Sequence, residues 1–239
     1  MYQPPQPTSE SSGSPFFTRN KIIIIIVVSI MIVSVIATAI LYVGSTSRSN
    51  NKKSPPQINY VSASYSPSAS SYDDTCTMSI LVRGSKIEKG TWDATVGDAS
   101  VQHRGSGNLT QSGSDFSGSS TFLDDNSFGI SATVKNSGGQ NAASYSGESY
   151  SDKSMHMSLT IKYENDQLVA SASVSPSADW ITYEIEGDKF VAYGTNPAKF
   201  KDLDPNKEYT LEVSADFSMM GTYYGSHTLT ISVVPSNLV

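Results

Sequence analysis

The sequence predicts an all-β protein that follows a single N-terminal transmembrane α-helix, and three observations support this. Residues 22–43 form a run of 22 residues without a charge. A helix of that length reaches about 33 Å, enough to cross a hydrocarbon core of about 30 Å. From residue 76 onward, apolar and polar side chains alternate with a period of two. Clusters of Gly, Asn, Asp and Ser separate these runs, as is typical of antiparallel strands joined by turns.

These patterns divide the chain into five segments. We predict a disordered cytoplasmic tail (1–20), a transmembrane helix (21–44), a Ser/Pro-rich linker (45–72), a first β-domain (73–154) and a second β-domain (155–239). The tail is rich in Pro, Ser and Gln and cannot bury enough apolar surface to fold. In the linker 13 of 28 residues are Ser or Pro, which predicts a flexible coil that spans about 30 Å or an O-glycosylated stalk.

The apolar run predicts an uncleaved membrane anchor in contact with lipid. The apolar region of a signal peptide is commonly about 7–15 residues long, and this one is longer. Cleavage after Ala39 or Gly44 remains an alternative. The positions that we assign to the span include Ile22, Ile26, Ile30, Val35, Ile40 and Val43.

The charges beside the span do not fix its orientation. Arg19 and Lys21 precede it, and Arg48, Lys52 and Lys53 follow it, so the count of basic residues is nearly balanced. The tail is short and featureless, whereas the remainder is rich in Ser, Thr, Gly and Tyr. We therefore expect a single-pass cell-membrane protein with a cytoplasmic N-terminus and an extracellular body.

The charge of the body disfavours one class of partner. The chain has 22 acidic and 16 basic residues. Only Glu10 among the acidic residues precedes residue 73, whereas five basic residues do, so the body carries 21 acidic and 11 basic residues, a net charge of −10. Such a surface repels phosphate backbones, and we expect no nucleic-acid partner.

The alternation predicts strands within 76–82, 92–96, 128–134, 159–163 and 168–174. Further strands are predicted at 180–185 and 190–193, joined by a turn at 186–189, and within 209–217 and 227–234. Residues 137–154 are predicted to form a long mobile loop.

The last third of the chain resembles the fibronectin type III pattern L-x-P-x-x-x-Y-x-x-x-V-x-A. The matching residues are Leu203, Pro205, Tyr209, Leu211, Val213 and Ala215. The resemblance covers about residues 158–234. It implies a tyrosine corner formed by Leu203, Pro205 and Tyr209, in which the tyrosine hydroxyl bonds back to the turn. The strand B tryptophan of the family is missing, so that Trp180 would have to fill its place.

With this resemblance the fold class becomes one or two antiparallel β-sandwich domains, Ig-like or fibronectin type III-like, behind the helix. The first β region also resembles exported single-anchor proteins of archaeal type. The residues concerned are Gly90, Trp92 and Ala94 in one strand and Ile130 to Val134 in another. This second resemblance implies no activity.

The sequence indicates no catalytic, metal or cofactor site. His103, His156 and His227 lie far apart and are expected at the surface or at strand edges. Cys76 is the single cysteine, which excludes an internal disulfide, and it is expected to be buried in a strand.

Two acidic pairs allow an alternative reading. Asp73 with Asp74, and Asp124 with Asp125 and Asn126, could supply oxygen ligands to Ca²⁺. Because they lack the alternating spacing of calcium loops, turn formation explains them equally well.

Tyrosines indicate the candidate contact sites. Tyr145 and Tyr150 lie in the predicted mobile loop. The segment between the last two strands contains Met219, Met220, Tyr223 and Tyr224. In a type III sandwich it would be the F–G loop, which such domains often use for binding. Aromatic rings framed by Gly and Ser make good contact surfaces.

The anchor, spacer and sandwich favour a surface protein that acts in adhesion, envelope structure or protein binding, with a protein or glycan partner and no catalysis. The alternatives are an accessory carbohydrate-binding or enzymatic ectodomain, or a subunit of a surface filament. An enzyme would need paired carboxylates in a cleft, such as Asp179 with Glu184 or Glu186.

Overall fold

The computed structural model describes residues 54–68, 74–97, 102–150, 153–178, 180–186, 188–192, 197–219 and 222–238. The predicted tail and the predicted membrane span at 22–43 lie outside these residues. Within the described ranges, no helix has the length and apolar character needed to cross a membrane.

The described residues form fifteen strands and one short 3₁₀ turn at Pro235–Asn237. The strands are β1 Gln57–Pro67, β2 Thr75–Ser85, β3 Lys89–Val96, β4 His103–Asn108, β5 Thr110–Ser112, β6 Asp115–Leu123, β7 Ser127–Asn136, β8 Gly139–Ser149, β9 Met155–Glu164, β10 Gln167–Ser175, β11 Trp180–Ile185, β12 Asp188–Ala192, β13 Ala198–Phe200, β14 Tyr209–Met219 and β15 Thr222–Val233.

The strands form two antiparallel sheets, which confirms the prediction of an all-β, sandwich-like fold. The seven-stranded sheet has the order β13-β10-β9-β1-β2-β6-β5, and the eight-stranded sheet has the order β12-β11-β14-β15-β8-β7-β3-β4. Alternate side chains of both sheets point inward and join one continuous hydrophobic core. A sheet with one buried and one wet face requires this period of two.

Strand β1 corrects the prediction that residues 45–72 are a flexible linker. It lies in the middle of its sheet, where it pairs with β2 on one side and with β9 on the other. Val61, Ala63 and Tyr65 face the core and are buried, while Ser62, Ser64 and Ser66 face outward. These three serines give the segment the composition of a Ser/Pro-rich linker, which hides the alternation.

The predicted boundary between two domains at residue 154 does not divide the sheets. Strand β1 joins β2 to β9, and β8 pairs with β15. Both sheets therefore run continuously across the boundary, and the described residues from 54 onward form one compact unit.

The predicted mobile loop is also wrong, because residues 139–149 form β8, a central strand paired with β7 and β15. Its inward positions include Asn141, Ala143, Tyr145 and Gly147. These residues give a weak apolar signal, which explains why the alternation was missed.

Trp180 does not replace the missing strand B tryptophan. It lies at the start of β11 with 43% of its surface exposed. Tyr183 fills the core instead, and its hydroxyl accepts a hydrogen bond of 2.9 Å from the backbone N–H of Ala172. The position that faces the core is set by the register of β11, which places Ile181, Tyr183 and Ile185 inward.

Trp92 packs between the two sheets in a slot lined by glycine. A Cβ atom added to Gly118 of β6 would lie 2.2 Å from Trp92 Cδ1, and Cβ atoms at Gly105 or Gly107 of β4 would also crowd the indole. These glycines therefore provide the space that lets an edge of one sheet close against the other.

We predict that a chain starting at residue 54 folds, whereas one starting at residue 73 does not. The shorter chain lacks β1, which leaves β2 and β9 unpaired and removes several core side chains, each large one contributing about 1.5–3 kcal/mol. Circular dichroism and thermal unfolding of both chains test this. Cooperative unfolding of the 73–239 chain would show that β1 is dispensable.

We predict that Gly118→Ala destabilises the sandwich by about 1–3 kcal/mol through overpacking against Trp92. Gly129→Ala is the matched control, because the nearest atom to its added Cβ is 3.7 Å away. Urea unfolding of the two variants measures the difference. Equal stability of both variants would contradict the glycine slot.

Candidate binding surface

Exposed apolar side chains are concentrated at one end of the sandwich. We call this the distal end, because it lies opposite the end where Ser54 leads into β1. Four large apolar side chains of the described residues are substantially exposed: Leu123 (55%), Tyr150 (50%), Tyr223 (49%) and Trp180 (43%). The strand register places all four at the distal end. Exposed apolar groups that cluster in this way are typical of interaction surfaces.

The register of the eight-stranded sheet aligns polar residues beside these rings. Directly opposite residues run across four strands in the order Trp180, Asp216, Ser226 and Glu148. Opposite residues of antiparallel strands share a face. Their neighbours Ile181, Ala215 and His227 are buried, so this row points outward.

Tyr150 and Tyr223 lie over this row as a pair. Their ring centroids are 6.1 Å apart with an interplanar angle of 43°. The Tyr150 hydroxyl donates a hydrogen bond of 2.6 Å to Glu148 Oε2, and this bond, together with partial burial, raises the pKa of Tyr150 to about 12. Burial, with the nearby charges of Asp216 and Glu148, also raises the pKa of Tyr223.

We define the distal patch as Tyr150, Trp180, Tyr223, Glu148 and Asp216. It presents three exposed rings and two carboxylates on the outer face of the eight-stranded sheet. The hydrogen bond between Tyr150 and Glu148 orients one ring before any ligand arrives, which lowers the entropic cost of binding.

A buried aromatic cluster lies directly beneath the distal patch. His227 contacts Phe128, Tyr145 and Phe217, with ring centroids 4.9–5.3 Å apart in edge-on geometry. Tyr65 of the opposite sheet stacks on Phe128 at 4.4 Å. The cluster joins the two sheets and supports the strands that carry the patch.

His227 corrects the expectation that all three histidines are at the surface or at strand edges. It is fully buried, its Nδ1 shares a hydrogen bond with the Tyr145 hydroxyl, and its Nε2 has no partner among the described residues. Burial lowers its pKa to about 3. His103 lies on the edge strand β4, and exposed His156 is hydrogen-bonded to Ser62.

Two of the acidic residues that offered a calcium alternative, Asp124 and Asp125, have structural partners. The Tyr65 hydroxyl bonds to the Asp124 carboxylate, and Asp125 accepts a hydrogen bond from the Ser127 backbone N–H. Cys76 is buried, as predicted, and burial with the charge of Asp124 raises its pKa to about 12. Asp73 lies outside the described residues. Across the described ranges, no group of three or more His, Cys, Asp and Glu side chains is placed to hold a metal ion.

The residues of the implied tyrosine corner lie before and at the start of β14. The Tyr209 hydroxyl accepts a hydrogen bond of 2.7 Å from the backbone N–H of Asp204, between Leu203 and Pro205. This contact ties the start of β14 to the preceding turn. It lies at the end of the sandwich opposite the distal patch and has a structural role.

The predicted contact loop is mostly strand. Met219 ends β14, and Tyr223 and Tyr224 belong to β15, where Tyr223 is exposed. Met220 lies outside the described residues.

Sequence reasoning identified Tyr150 and Tyr223 as separate candidates but missed that they meet. It assigned no contact role to Glu148 or Asp216. No sequence signal relates them, because the residues come together only through the pairing of β14, β15 and β8.

The proposed carboxylate pair for an enzyme is not brought together. Glu186 Oε1 forms an ion pair of 2.8 Å with Lys207. Asp179 lies outside the described residues, and its neighbour Trp180 is four residues from Glu184 along β11, about 13 Å. A shallow cleft at the opposite end from the patch, lined in part by Lys89, Leu109 and Lys135, has charged groups of mixed sign.

Comparison with known proteins finds no family model that matches the chain. No curated protein matches it either. The function therefore has to be argued from the fold and the distal patch.

We predict that the stability of the sandwich falls as the pH drops from about 6.5 toward 3. His227 is neutral when folded, with a pKa of about 3, whereas an unfolded histidine has a pKa of about 6.5. The unfolded chain binds the extra proton in this window, so His227 contributes a loss of up to about 1.4 kcal/mol per pH unit.

Urea unfolding of the 54–239 chain at several pH values measures this slope. The control is the double variant His227→Phe and Tyr145→Phe, which removes both partners and leaves the carboxylates unchanged. An identical slope in the double variant would contradict the role of His227.

Proposed function

We propose that this chain is a single-pass membrane protein that displays a β-sandwich outside the cell and binds a partner through the distal patch. In this proposal the N-terminus is cytoplasmic and the helix at 22–43 holds the body at the cell surface. The function is adhesion, envelope structure or protein binding, without catalysis.

The position of the distal patch carries the proposal. The chain enters the sandwich at Ser54, and β1 runs from there toward the distal end over eleven residues, about 36 Å. A patch at the end farthest from a tether is the part of a displayed domain that a partner reaches first.

The segment between the predicted membrane span and the sandwich is shorter than the sequence predicts. Because β1 takes residues 57–67, ten residues separate position 43 from Ser54. Their maximum reach is about 35 Å.

Strand order supports the resemblance to fibronectin type III and Ig-like domains within the last seven strands. In this resemblance β9, β10 and β13 would correspond to strands A, B and E of one sheet, and β11, β14 and β15 to strands C, F and G of the other. With the Tyr209 contact, this favours a sandwich of that type extended by eight further strands.

A glycan-binding ectodomain is the second candidate, because exposed Tyr and Trp rings beside carboxylates also suit sugars. A filament subunit has less support. Long exposed edge strands would favour it, whereas the edge strands β5 and β13 have three residues each, β12 has five and β4 has six.

We predict that the body is extracellular and the tail cytoplasmic. Two variants of full-length protein in a Cys76→Ala background carry one new cysteine each, Ser112→Cys in exposed β5 or Ser12→Cys in the tail. A membrane-impermeant maleimide should label residue 112 on intact cells and residue 12 only after permeabilisation.

The reverse labelling pattern would overturn the orientation. Loss of the tail from the mature protein, seen by immunoblot, would show instead that the apolar run is a cleaved leader.

A further inference from the structure

We infer that the distal patch, with the acidic outer face beside it, binds an extended protein segment that carries Lys or Arg side chains. This inference rests on the proposed surface function and specifies the partner's chemistry. It depends on three properties of the described residues: the charge, a row of short hydroxyl side chains and the exposed rings.

The charge of the outer face is the first property. Strands β11, β14, β15 and β8 contain no Lys or Arg. Their outward positions include the carboxylates of Glu148, Glu184, Glu212 and Asp216. At the sheet edge, Lys189 of β12 is the register partner of Glu184.

Glu148 and Asp216 are the two carboxylates next to the rings. Two ion pairs of the described residues, Arg83 with Asp115 and Lys207 with Glu186, lie at the other end of the sandwich. Glu148 accepts a hydrogen bond from Tyr150, which leaves its charge uncompensated. A cationic partner gains from both carboxylates, whereas a neutral glycan gains nothing from net charge.

A row of short hydroxyl side chains is the second property. The next outward row is formed by Thr182, Ser214, Thr228 and Ser146. Ser214 and Thr228 are hydrogen-bonded at 3.0 Å. Because these side chains are short, an extended backbone can approach the sheet here, and their hydroxyl groups can hydrogen-bond to its amides.

The rings are the third property. A Lys ammonium or Arg guanidinium binds favourably over the face of Trp or Tyr. Trp180 is directly opposite Asp216, and the ring of Tyr150 is tied to Glu148. Each carboxylate therefore has an aromatic ring beside it. Asp216 and Glu148 are two strands apart, about 10 Å, a spacing that two basic side chains of one extended segment can match.

Full-length protein in nanodiscs of neutral phosphatidylcholine tests the inference. The probe is a fluorescent Gly/Ser peptide that carries four arginines, and the control probe has citrulline in their place. We expect the arginine peptide to bind, and its affinity to fall with rising salt as exposed charges are screened.

Variants locate the site. Glu148→Gln with Asp216→Asn should weaken binding at least tenfold, and Trp180→Ala or Tyr150→Ala should each weaken it about two- to fivefold. The matched control is Glu164→Gln with Asp166→Asn in the β9–β10 turn, which removes the same charge at the other end and should leave affinity unchanged.

Several outcomes would overturn the inference. Equal weakening by the patch variants and the control variants would show only non-specific attraction. Salt-independent binding of a neutral oligosaccharide through Trp180 and Tyr150, without peptide binding, would assign the patch to glycans. Patch-dependent self-association in sedimentation, without peptide binding, would assign it to a second copy. Absence of any peptide binding would also overturn the inference. It would not affect the proposal of surface display, which the maleimide labelling tests independently of the patch.

Discussion

The pairing of β1 with β2 and β9 is the constraint on which the rest of the sandwich depends. Its backbone bonds β2 over almost its whole length and β9 over six residues. Without it the seven-stranded sheet would separate into two parts with unpaired central edges, which are costly and prone to association. The strand also sets the polarity of the molecule, because it begins at the entry end and finishes at the distal end.

The inner face of the eight-stranded sheet holds the buried aromatic cluster, and its outer face carries the distal patch. Each outward residue of the patch row has a buried neighbour, and His227 lies next to Ser226 in the cluster with Phe128 and Tyr145. Gly147 leaves space for the imidazole, since a Cβ there would lie 3.0 Å from His227 Cδ2. The cluster fixes the register of β8 and β15, and that register aligns Glu148, Ser226 and Asp216. The buried, neutral His227 thus lies on the inner face of the sheet, directly behind the exposed row that contains Asp216 and Glu148.

The sequence predicted strands well where the inward residues are large and apolar. Residues 76–82 and 128–134 are examples, and they lie in β2 and β7. It failed where inward positions hold small or polar residues, as in β8, or where the outward residues repeat, as in β1. Tyr65 of β1 and Tyr145 of β8 are buried in the core of the sandwich. A tyrosine between serines is nevertheless typical of an exposed segment. The tertiary context overrode local composition in both cases.

The sequence by itself determined the all-β class, the burial of Cys76 and the acidic balance of the body, because these follow from periodicity and residue counts. Only the tertiary structure decided that one continuous pair of sheets spans the predicted boundary, that Tyr183 and not Trp180 fills the core, and that Tyr150 meets Tyr223. These depend on which strands pair and in which register. Contacts between positions as distant as Glu148 and Ser226 have no local sequence signal, since they are set by the hydrogen bonds between strands.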